Sequence, residues 1–340
     1  MRDDADGSKG MVIKLMIRVF NTVVAALLLA VPLALEAQRK PQAVHTVGVL
    51  MPQRLEQNVA YPTFLETLRR LGYQEDGNLR ILLRSANGKL DRLPALATEL
   101  VEARPDVIVA INTPGARAAI HATKQIPIVI TATGDPVGSG FVSNLARPGG
   151  NVTGISNMVA ELAPKRLSLL KEVVPAANRI AVMFNPEDPI TVPQMRDAER
   201  AAPKLKVEIR FFPVMATGDL PEMFKQMLAW RADAALWLLG QQHAFQTGSI
   251  ELAARYRLPL MVGLRQNVEA GGLISYISDS VEISRRTAVY VDRILKGTKP
   301  GDLPVEQPTK FELTVNLKTA KTLGLAVPGS VLLQADHVIE

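Results

Sequence analysis

Polar residues follow two apolar, β-branched runs in the first half of the chain, where they are suited to hold a ligand. Asn112 and Thr113 come directly after DVIVAI and before a Pro-Gly pair, which predicts the first turn of a helix. Free backbone N–H groups in that turn, together with the threonine hydroxyl, would suit a ligand carboxylate. Asp135 follows PIVITATG, where it would either pair a ligand ammonium or cap the helix that Pro136 begins.

Further candidate ligand-binding residues lie at the end of an apolar run, directly after it or in the loop that follows it. They are Met51, Pro52, Tyr61, Asn185, Gly240 and Gly263. Asn185 follows RIAVMF in the second half of the chain, just as Asn112 follows DVIVAI in the first half. Tyr61 offers a ring on which an aromatic ligand could stack. For Asn185 and the two glycines taken singly, ordinary turn chemistry explains the residue slightly better than ligand contact.

Catalytic and cofactor motifs are absent from the sequence. It contains no G-x-S-x-G elbow, no G-x-x-x-x-G-K-[ST] phosphate loop and no H-E-x-x-H zinc helix. Gly138 and Gly140 in GDPVGSGF do not complete a dinucleotide fingerprint, because the third glycine is missing. The histidines are scattered singly at His45, His121, His243 and His337. We therefore predict no catalytic residue, no metal site and no cofactor.

Composition narrows the class of protein. The chain has 340 residues, of which 47% are hydrophobic and 21% charged, so it can bury a core in each of two ordinary domains. Its 39 basic and 33 acidic side chains are interspersed, which argues against nucleic-acid binding despite a net charge of +6. It contains no cysteine, which excludes disulfides, thiolate metal sites and a lipid-modified cysteine.

The N-terminus is typical of a secretory signal peptide. Lys14 and Arg18 precede an apolar stretch over residues 19–35, and Ala37 is a small residue at a suitable cleavage point. The alternative is an uncleaved membrane anchor, but about 17 residues interrupted by a proline are at the lower limit for a membrane span. We expect residues 1–37 to be removed and the mature protein to be periplasmic, without a lipid anchor.

Short β-branched runs alternate with longer segments of helical period, which predicts parallel strands joined by crossover helices. The predicted strands are 46–51, 81–83, 106–111, 127–131, 179–184, 207–212, 234–239 and 260–262. The predicted helices are 63–71, 93–103, 116–124, 165–174, 193–204, 220–230 and 246–256. The alternation begins again after a Pro- and Gly-rich stretch over 135–154. We therefore predict two α/β lobes, each a doubly wound, mainly parallel sheet, with ligands bound in the interlobe cleft at the carboxyl ends of the strands.

Several blocks of sequence resemble the ABC-type substrate-binding protein family related to tryptophan and tyrosine importers. They are FLETLRRLGYQEDGN at 64–78, DPVGSGFVSNLARPGGNVTGIS at 135–156, KRLSLLKEVVP at 165–175, AGGLISY at 270–276, YVDRILKGTKPGDLPVEQPTKFELTVNLKTAKTLGL at 290–325 and ADHVIE at 335–340. The resemblance extends from residue 44 to the end of the chain.

The resemblance implies a type I periplasmic binding fold. Its hinge crossings would lie near 151–156, 271–276 and 304–312, and a helix over 280–297 would return to the first lobe. The first lobe would then comprise 44–154 and 277–303, and the second 155–270 and 304–340. Closure about the hinges would bury the ligand.

The function implied is that of the extracytoplasmic solute-binding component of an ABC importer, a monomer that delivers a small molecule to a membrane permease. The family name suggests an aromatic or other amino acid as the ligand. Two alternatives stay open: a ligand-sensing receptor ectodomain, and a hydrolytic enzyme on the same fold that uses Asp135 with a second group. The lack of a recognisable nucleophile and base pair disfavours the enzyme.

Overall fold

The computed structural model describes residues 44–75, 77–240 and 243–340, together with Met16. The signal peptide predicted over residues 1–37 therefore lies outside the described residues, apart from that methionine. None of the helices within these ranges combines the length and the hydrophobicity that a membrane span requires.

The strands form two sheets. In chain order they are β1 His45–Met51, β2 Leu79–Ser85, β3 Val107–Ile111, β4 Ile128–Thr133, β5 Val152–Ser156, β6 Arg179–Phe184, β7 Glu208–Pro213, β8 Ala234–Trp237, β9 Leu260–Val262, β10 Ile274–Ser278, β11 Val305–Glu306, β12 Phe311–Asn316 and β13 His337–Ile339. The first sheet has the order β11-β5-β4-β3-β1-β2 and the second β13-β12-β10-β9-β8-β6-β7. Among the described strands, only β10 and β12 pair antiparallel. The predicted α/β architecture of two doubly wound, mainly parallel sheets is confirmed.

The helices connect these strands. They are α1 Tyr61–Arg70, α2 Leu93–Glu102, α3 Asn112–Ala122, α4 Ala163–Val173, α5 Thr191–Ala201, α6 Leu220–Ala229, α7 His243–Tyr256, α8 Arg265–Glu269, α9 Ser280–Leu295, α10 Leu317–Leu323 and α11 Gly329–Leu332. The third predicted helix begins earlier than expected, at Asn112 instead of residue 116. Asn112 and Thr113 are therefore part of its first turn, where backbone N–H groups lack helical partners.

Both faces of the first sheet are buried, as the apolar runs require. Val47 and Val49 of β1 pack on one face with α1 and α9, whereas Leu50, between Val49 and Met51 in the strand, packs on the opposite face with α2 and α3. This alternation follows from the two-residue period of a strand. We call this sheet with α1, α2, α3 and α9 the first lobe.

The second sheet is covered in the same way. Ile180 and Val182 of β6 face α4, α5, α10 and α11, and Ala181 and Met183 face α6, α7 and α8. We call this sheet with these seven helices the second lobe. Each lobe thus has two apolar layers, which hold its strand ends in fixed positions.

The chain crosses between the lobes three times, after β5, after β10 and after β11. One strand lies in a different lobe from the one expected from the sequence. Residues 304–340 are predicted to belong to the second lobe, but Val305–Glu306 pairs with Gly154 and Ile155 and extends the first sheet before the chain crosses. The physical reason is that β5 would otherwise be an edge strand with unpaired backbone groups. Ile155 and Ser156 also belong to this sheet.

Asp279 joins the second and third crossings. Its Oδ1 caps α9 by accepting hydrogen bonds from Val281 N at 2.9 Å and Glu282 N at 3.0 Å. Its Oδ2 lies 2.9 Å from Lys310 Nζ, and its backbone N donates to Lys310 O at 3.1 Å. Burial opposes ionisation of Asp279, but these hydrogen bonds outweigh burial and lower its pKa.

We expect Asp279→Ala to lower the free energy of unfolding by about 1–2 kcal/mol at neutral pH, because α9 loses its cap. Since the folded-state pKa is depressed, this contribution is complete above the pKa of the unfolded chain and is lost as the pH falls through the folded-state value. Denaturant unfolding over a range of pH would measure it. Lys310→Met is the control, because it removes the ion pair and keeps the cap. Equal losses in both variants would contradict the prediction.

Candidate functional site

The carboxyl ends of the two sheets meet at Gly134, directly after β4. A Cβ atom placed on Gly134 would lie 2.6 Å from Ile190 Cδ1 and 2.9 Å from Val159 Cγ2. Ile190 belongs to the second lobe, directly before α5, and Val159 lies in the first crossing. Only a residue without a side chain fits at this contact, so Gly134 lets the lobes approach closely.

An apolar cluster surrounds this contact. Its buried members are Val159, Ala160, Leu162, Ile190 and Leu239. Tyr276, Ile277 and Phe311 are half-buried against it, and the rings of Tyr276 and Phe311 are stacked with centroids 5.5 Å apart. The crossings and the end of β8 therefore share one apolar surface between the lobes.

The first-lobe side of the site lies at the carboxyl ends of the neighbouring strands β1 and β3. The chain continues from β1 to β2 on one side and from β3 to β4 on the other, so this is the switch point of the sheet. A Cβ atom on Gly115 would lie 3.3 Å from Leu50 O and 3.8 Å from Pro52 Cδ, so α3 passes close to the end of β1. Thr113 Oγ1 accepts a hydrogen bond from Gly134 N at 3.4 Å. Asn112 is half-buried with φ of 58°, a left-handed conformation that asparagine tolerates. The structure thus brings Pro52, Asn112 and Thr113 together with Gly134.

Asp135 is half-buried beside this group. Its Oδ1 accepts a hydrogen bond from Gly138 N at 2.7 Å, so the carboxylate caps the turn that follows Pro136. The sequence predicts a helix that Pro136 begins, but the structure has a turn over 136–140, so Asp135 caps a turn and not a helix. Pairing with a ligand ammonium stays a prediction.

Glu161, in the first crossing, adds to the negative charge. Burial raises its pKa, and the charges of Asp135 in the first lobe and Asp197 on α5 raise it further. Carboxylates from both lobes therefore raise the pKa of this one group.

On the second-lobe side, Asn185 shapes the loop between β6 and α5. Its Oδ1 accepts a hydrogen bond from Glu187 N at 2.9 Å, and its carbonyl oxygen accepts one from Asp188 N at 3.2 Å. Gln194 is wholly buried and donates from Nε2 to Leu239 O at 2.6 Å, while its Oε1 accepts from Leu239 N at 2.9 Å. Gln194 thereby fixes the segment that ends at half-buried Gly240.

Met51 and Tyr61, both predicted to bind ligand, pack in the core of the first lobe and not in the apolar cluster around Gly134. The Met51 side chain is fully buried in the core of the first lobe. Tyr61 stacks on Phe64 with ring centroids 6.1 Å apart, and burial raises the pKa of its hydroxyl to about 12. Trp237 packs in the core of the second lobe and donates from Nε1 to Ser249 Oγ at 3.1 Å, as expected for a residue inside a strand.

Gly263 directly follows β9 and is buried against Gln246 of α7. A Cβ atom on Gly263 would lie 2.9 Å from Gln246 Nε2, so only glycine leaves room for this amide. Gln246 is 2% exposed, and its Oε1 has no hydrogen-bond partner. The end of β9 therefore holds an unsatisfied acceptor.

Arg166 of α4 was not predicted from the sequence. It is 0% exposed and donates from Nη1 to Trp237 O at 2.6 Å and from Nη2 to Val262 O at 2.7 Å. Burial lowers its pKa to about 9. The spacing of Ala163, Arg166 and Leu170 on the buried face of α4 is the signal that could have revealed it, because this spacing places a basic residue in an apolar stripe.

Within the described residues, no group of acidic, histidine or cysteine side chains could hold a metal ion. The site instead combines an apolar contact, a helix N-terminus, acidic side chains and one buried guanidinium. Such a combination can hold a small molecule that has both apolar and charged parts.

Known proteins are similar to this chain in sequence and in fold. Residues 55–339 match the family model described as ABC transporter substrate binding protein. A protein named tyrosine-binding protein from Clostridioides difficile (strain R20291) is 27% identical over 264 residues, which are 77% of this chain and 75% of the relative.

Two solved structures extend the comparison. The ABC domain in complex with L-Trp from Streptococcus pneumoniae has a TM-score of 0.81 at 26% identity, covering 87% of this chain and 100% of its own. A ligand-free, open substrate binding protein from Clostridium difficile has a TM-score of 0.69, also at 26% identity, covering 87% of this chain and 99% of its own. The chain belongs to the family of ABC transporter substrate binding proteins.

Proposed function

We propose that this substrate-binding protein captures an amino acid, with aromatic amino acids as the first candidates, between its two lobes and delivers it to the permease of an ABC importer. The contact of Gly134 with Ile190 carries the proposal, because it joins the carboxyl ends of both sheets, where doubly wound sheets bind ligands. The proposed location is the periplasm, after removal of residues 1–37, and the proposed state is a monomer.

The comparison with relatives supports closure as the mechanism. The fold agrees better with the relative that holds L-Trp than with the open, ligand-free relative, although both are 26% identical in sequence. Close approach of the lobes at Gly134 is what a closed form requires. A ligand that binds the closed form more tightly than the open form would shift the population toward it.

The residues at the strand ends suit an amino acid. The first turn of α3, at Asn112 and Thr113, offers N–H groups to an anion, and the carboxylates of Asp135 and Glu161 offer negative charge to an ammonium. The apolar surface with Tyr276 and Phe311 suits a large side chain. In this proposal, Pro52, Asn185 and Gly240 complete the wall of the cleft.

The experiment is a binding survey with purified protein. Native mass spectrometry would first identify a copurified ligand, and the twenty common amino acids would then be tested by thermal shift and small-angle X-ray scattering. At about 100 times the Kd, a ligand should stabilise the protein by about 2.7 kcal/mol and raise the melting temperature by roughly 5–10 °C. The radius of gyration should fall. If no amino acid changes either quantity, the proposal is wrong.

A further inference from the structure

The strands farthest from the three crossings end at the mouth of the cleft. In the first sheet, β5 and β11 lead into crossings, and β1 and β2 lie at the opposite end of the strand order. In the second sheet, β10 and β12 adjoin crossings, and β6 and β7 lie at the opposite end. The loops after β1, β2, β6 and β7 therefore border the opening between the lobes. We call residues 52–60 and 86–92 the first rim, and residues 185–193 and 214–219 the second rim.

Both rims carry exposed large apolar side chains. They are Leu55, Val59 and Leu90 on the first rim and Val192 and Met215 on the second, with 61% of Val59 and 62% of Met215 exposed. These side chains stay in solvent although the lobes already touch at the ends of β4 and β6. Apolar surface gathered around one opening is typical of a site that a partner covers.

Hydrogen bonds hold the loops of both rims in place. On the first rim, Gly88 N donates to Pro52 O at 2.8 Å, which joins the loop after β2 to the loop after β1. On the second rim, Asp219 Oδ2 accepts hydrogen bonds from Met215 N at 3.1 Å and from Ala216 N at 2.8 Å. A surface that is already ordered can bind a partner with little further loss of conformational entropy.

The two rims differ in charge, which restricts the partner. The first rim has three basic and two acidic side chains: Arg54, Lys89, Arg92, Glu56 and Asp91. The second rim has Glu187, Asp188 and Asp219 and no basic residue. A partner that spans the mouth should therefore combine apolar side chains with basic ones opposite the second rim. An anionic lipid surface would be repelled by the second rim, and a second copy of this chain seated on the mouth would block release of the ligand.

We propose that the two rims together form the surface that docks onto the permease, through apolar contacts flanked by basic side chains of the permease opposite the second rim. This inference rests on the proposed function, because a ligand held between the lobes leaves through the mouth that the rims border. It adds which surface of the chain meets the permease and the chemistry of that contact. Since one rim belongs to each lobe, both lobes contribute to docking.

The first test places a charge on each rim and at a matched control position. Leu55→Glu is paired with Leu71→Glu, because both leucines are 37% exposed and Leu71 follows α1 at the opposite edge of the first lobe. Met215→Lys is paired with Leu333→Lys, which lies after α11 in the second lobe. Each variant replaces the wild-type gene in the source organism, and uptake of radiolabelled L-tryptophan and L-tyrosine is measured. The purified variants are titrated calorimetrically with the same two amino acids.

The two rim variants should lower uptake at least about 10-fold, because a charge placed in an apolar interface loses its hydration without gaining a partner. Their Kd values should stay at the wild-type level, since neither side chain lies in the cleft. The two control variants should keep both uptake and affinity. Equal uptake in rim and control variants, or a loss of affinity in the rim variants, would overturn the docking surface.

The second test does not depend on the ligand. Photoreactive p-benzoyl-phenylalanine is introduced at position Val59, Val192 or Leu71, whole cells are irradiated, and the cross-linked protein is identified by mass spectrometry. Positions Val59 and Val192 should cross-link to the membrane-spanning subunit of an ABC importer, and position Leu71 should not. Cross-links to a second copy of this chain, or none at either rim, would overturn the docking surface. If the wild-type protein neither binds nor imports the two amino acids but both rims cross-link to the permease, the amino-acid assignment fails and the docking surface is confirmed.

Discussion

Replacing Gly134 by valine is expected to weaken ligand binding by about 10- to 100-fold. The branched side chain would collide with Ile190 and Val159, which lie within 3 Å of the position of its Cβ atom. Overpacking of this kind costs about 1–3 kcal/mol, and here the cost falls on the closed form alone, because open lobes leave the space free. Isothermal titration would measure the loss of affinity, and small-angle scattering should show no contraction with ligand.

The matched control is the double variant Gly134→Val with Ile190→Ala. Removal of the Ile190 side chain restores the space, so the double variant should regain contraction and most of the affinity. The valine variant alone should keep its circular dichroism spectrum, because Gly134 lies outside the strands. Undiminished affinity and contraction in the valine variant would show that the lobes close elsewhere.

Gly154→Ala is expected to have the largest effect on stability. Gly154 has φ of 142°, and a Cβ atom there would collide with the backbone of Ile130 in β4. Backbone cannot move aside as a side chain can, so we expect a loss of about 3 kcal/mol or more. Gly154 also pairs with Val305, so both neighbours of β5 would be disturbed. The melting temperature should fall by roughly 5–10 °C.

Gly140→Ala separates the collision from the backbone conformation. Gly140 also has a positive φ, 71°, but no atom lies within 4 Å of a Cβ placed on it. Its replacement should cost only about 1 kcal/mol, the ordinary penalty of a left-handed alanine. If Gly154→Ala and Gly140→Ala have the same melting temperature, the collision at Ile130 does not determine the stability of β5.

The sequence predicts much of this fold because its local patterns agree with the global structure. Runs such as DVIVAI and RIAVMF are strands buried on both faces, and they occur where predicted. The polar residues directly after them, such as Asn112 and Asn185, stand at carboxyl strand ends for the same reason. The connectivity then places these ends in the sheet edges that meet at Gly134.

Residues that act through distant partners could not be predicted in this way. Gln194 and Arg166 donate to backbone carbonyls 45 to 96 positions further along the chain, and no local motif marks such a contact. The space beside Gly134 is set by Ile190, which comes from the other lobe. Val305–Glu306 is too short for a periodic pattern, and its pairing depends on the free edge of β5.

The return of α9 to the first lobe has a consequence for the order of folding. Tyr73 Oη donates to Asp292 Oδ1 at 3.0 Å across 219 residues, and α9 covers the face on which α1 packs. Residues 44–154 alone therefore cannot complete their core, because the missing layer lies beyond most of the second lobe in sequence. Contacts of such long range slow folding, since a large loop must close before they form. The first lobe should gain its full protection from amide hydrogen exchange only after α9 has packed against α1 and the first sheet.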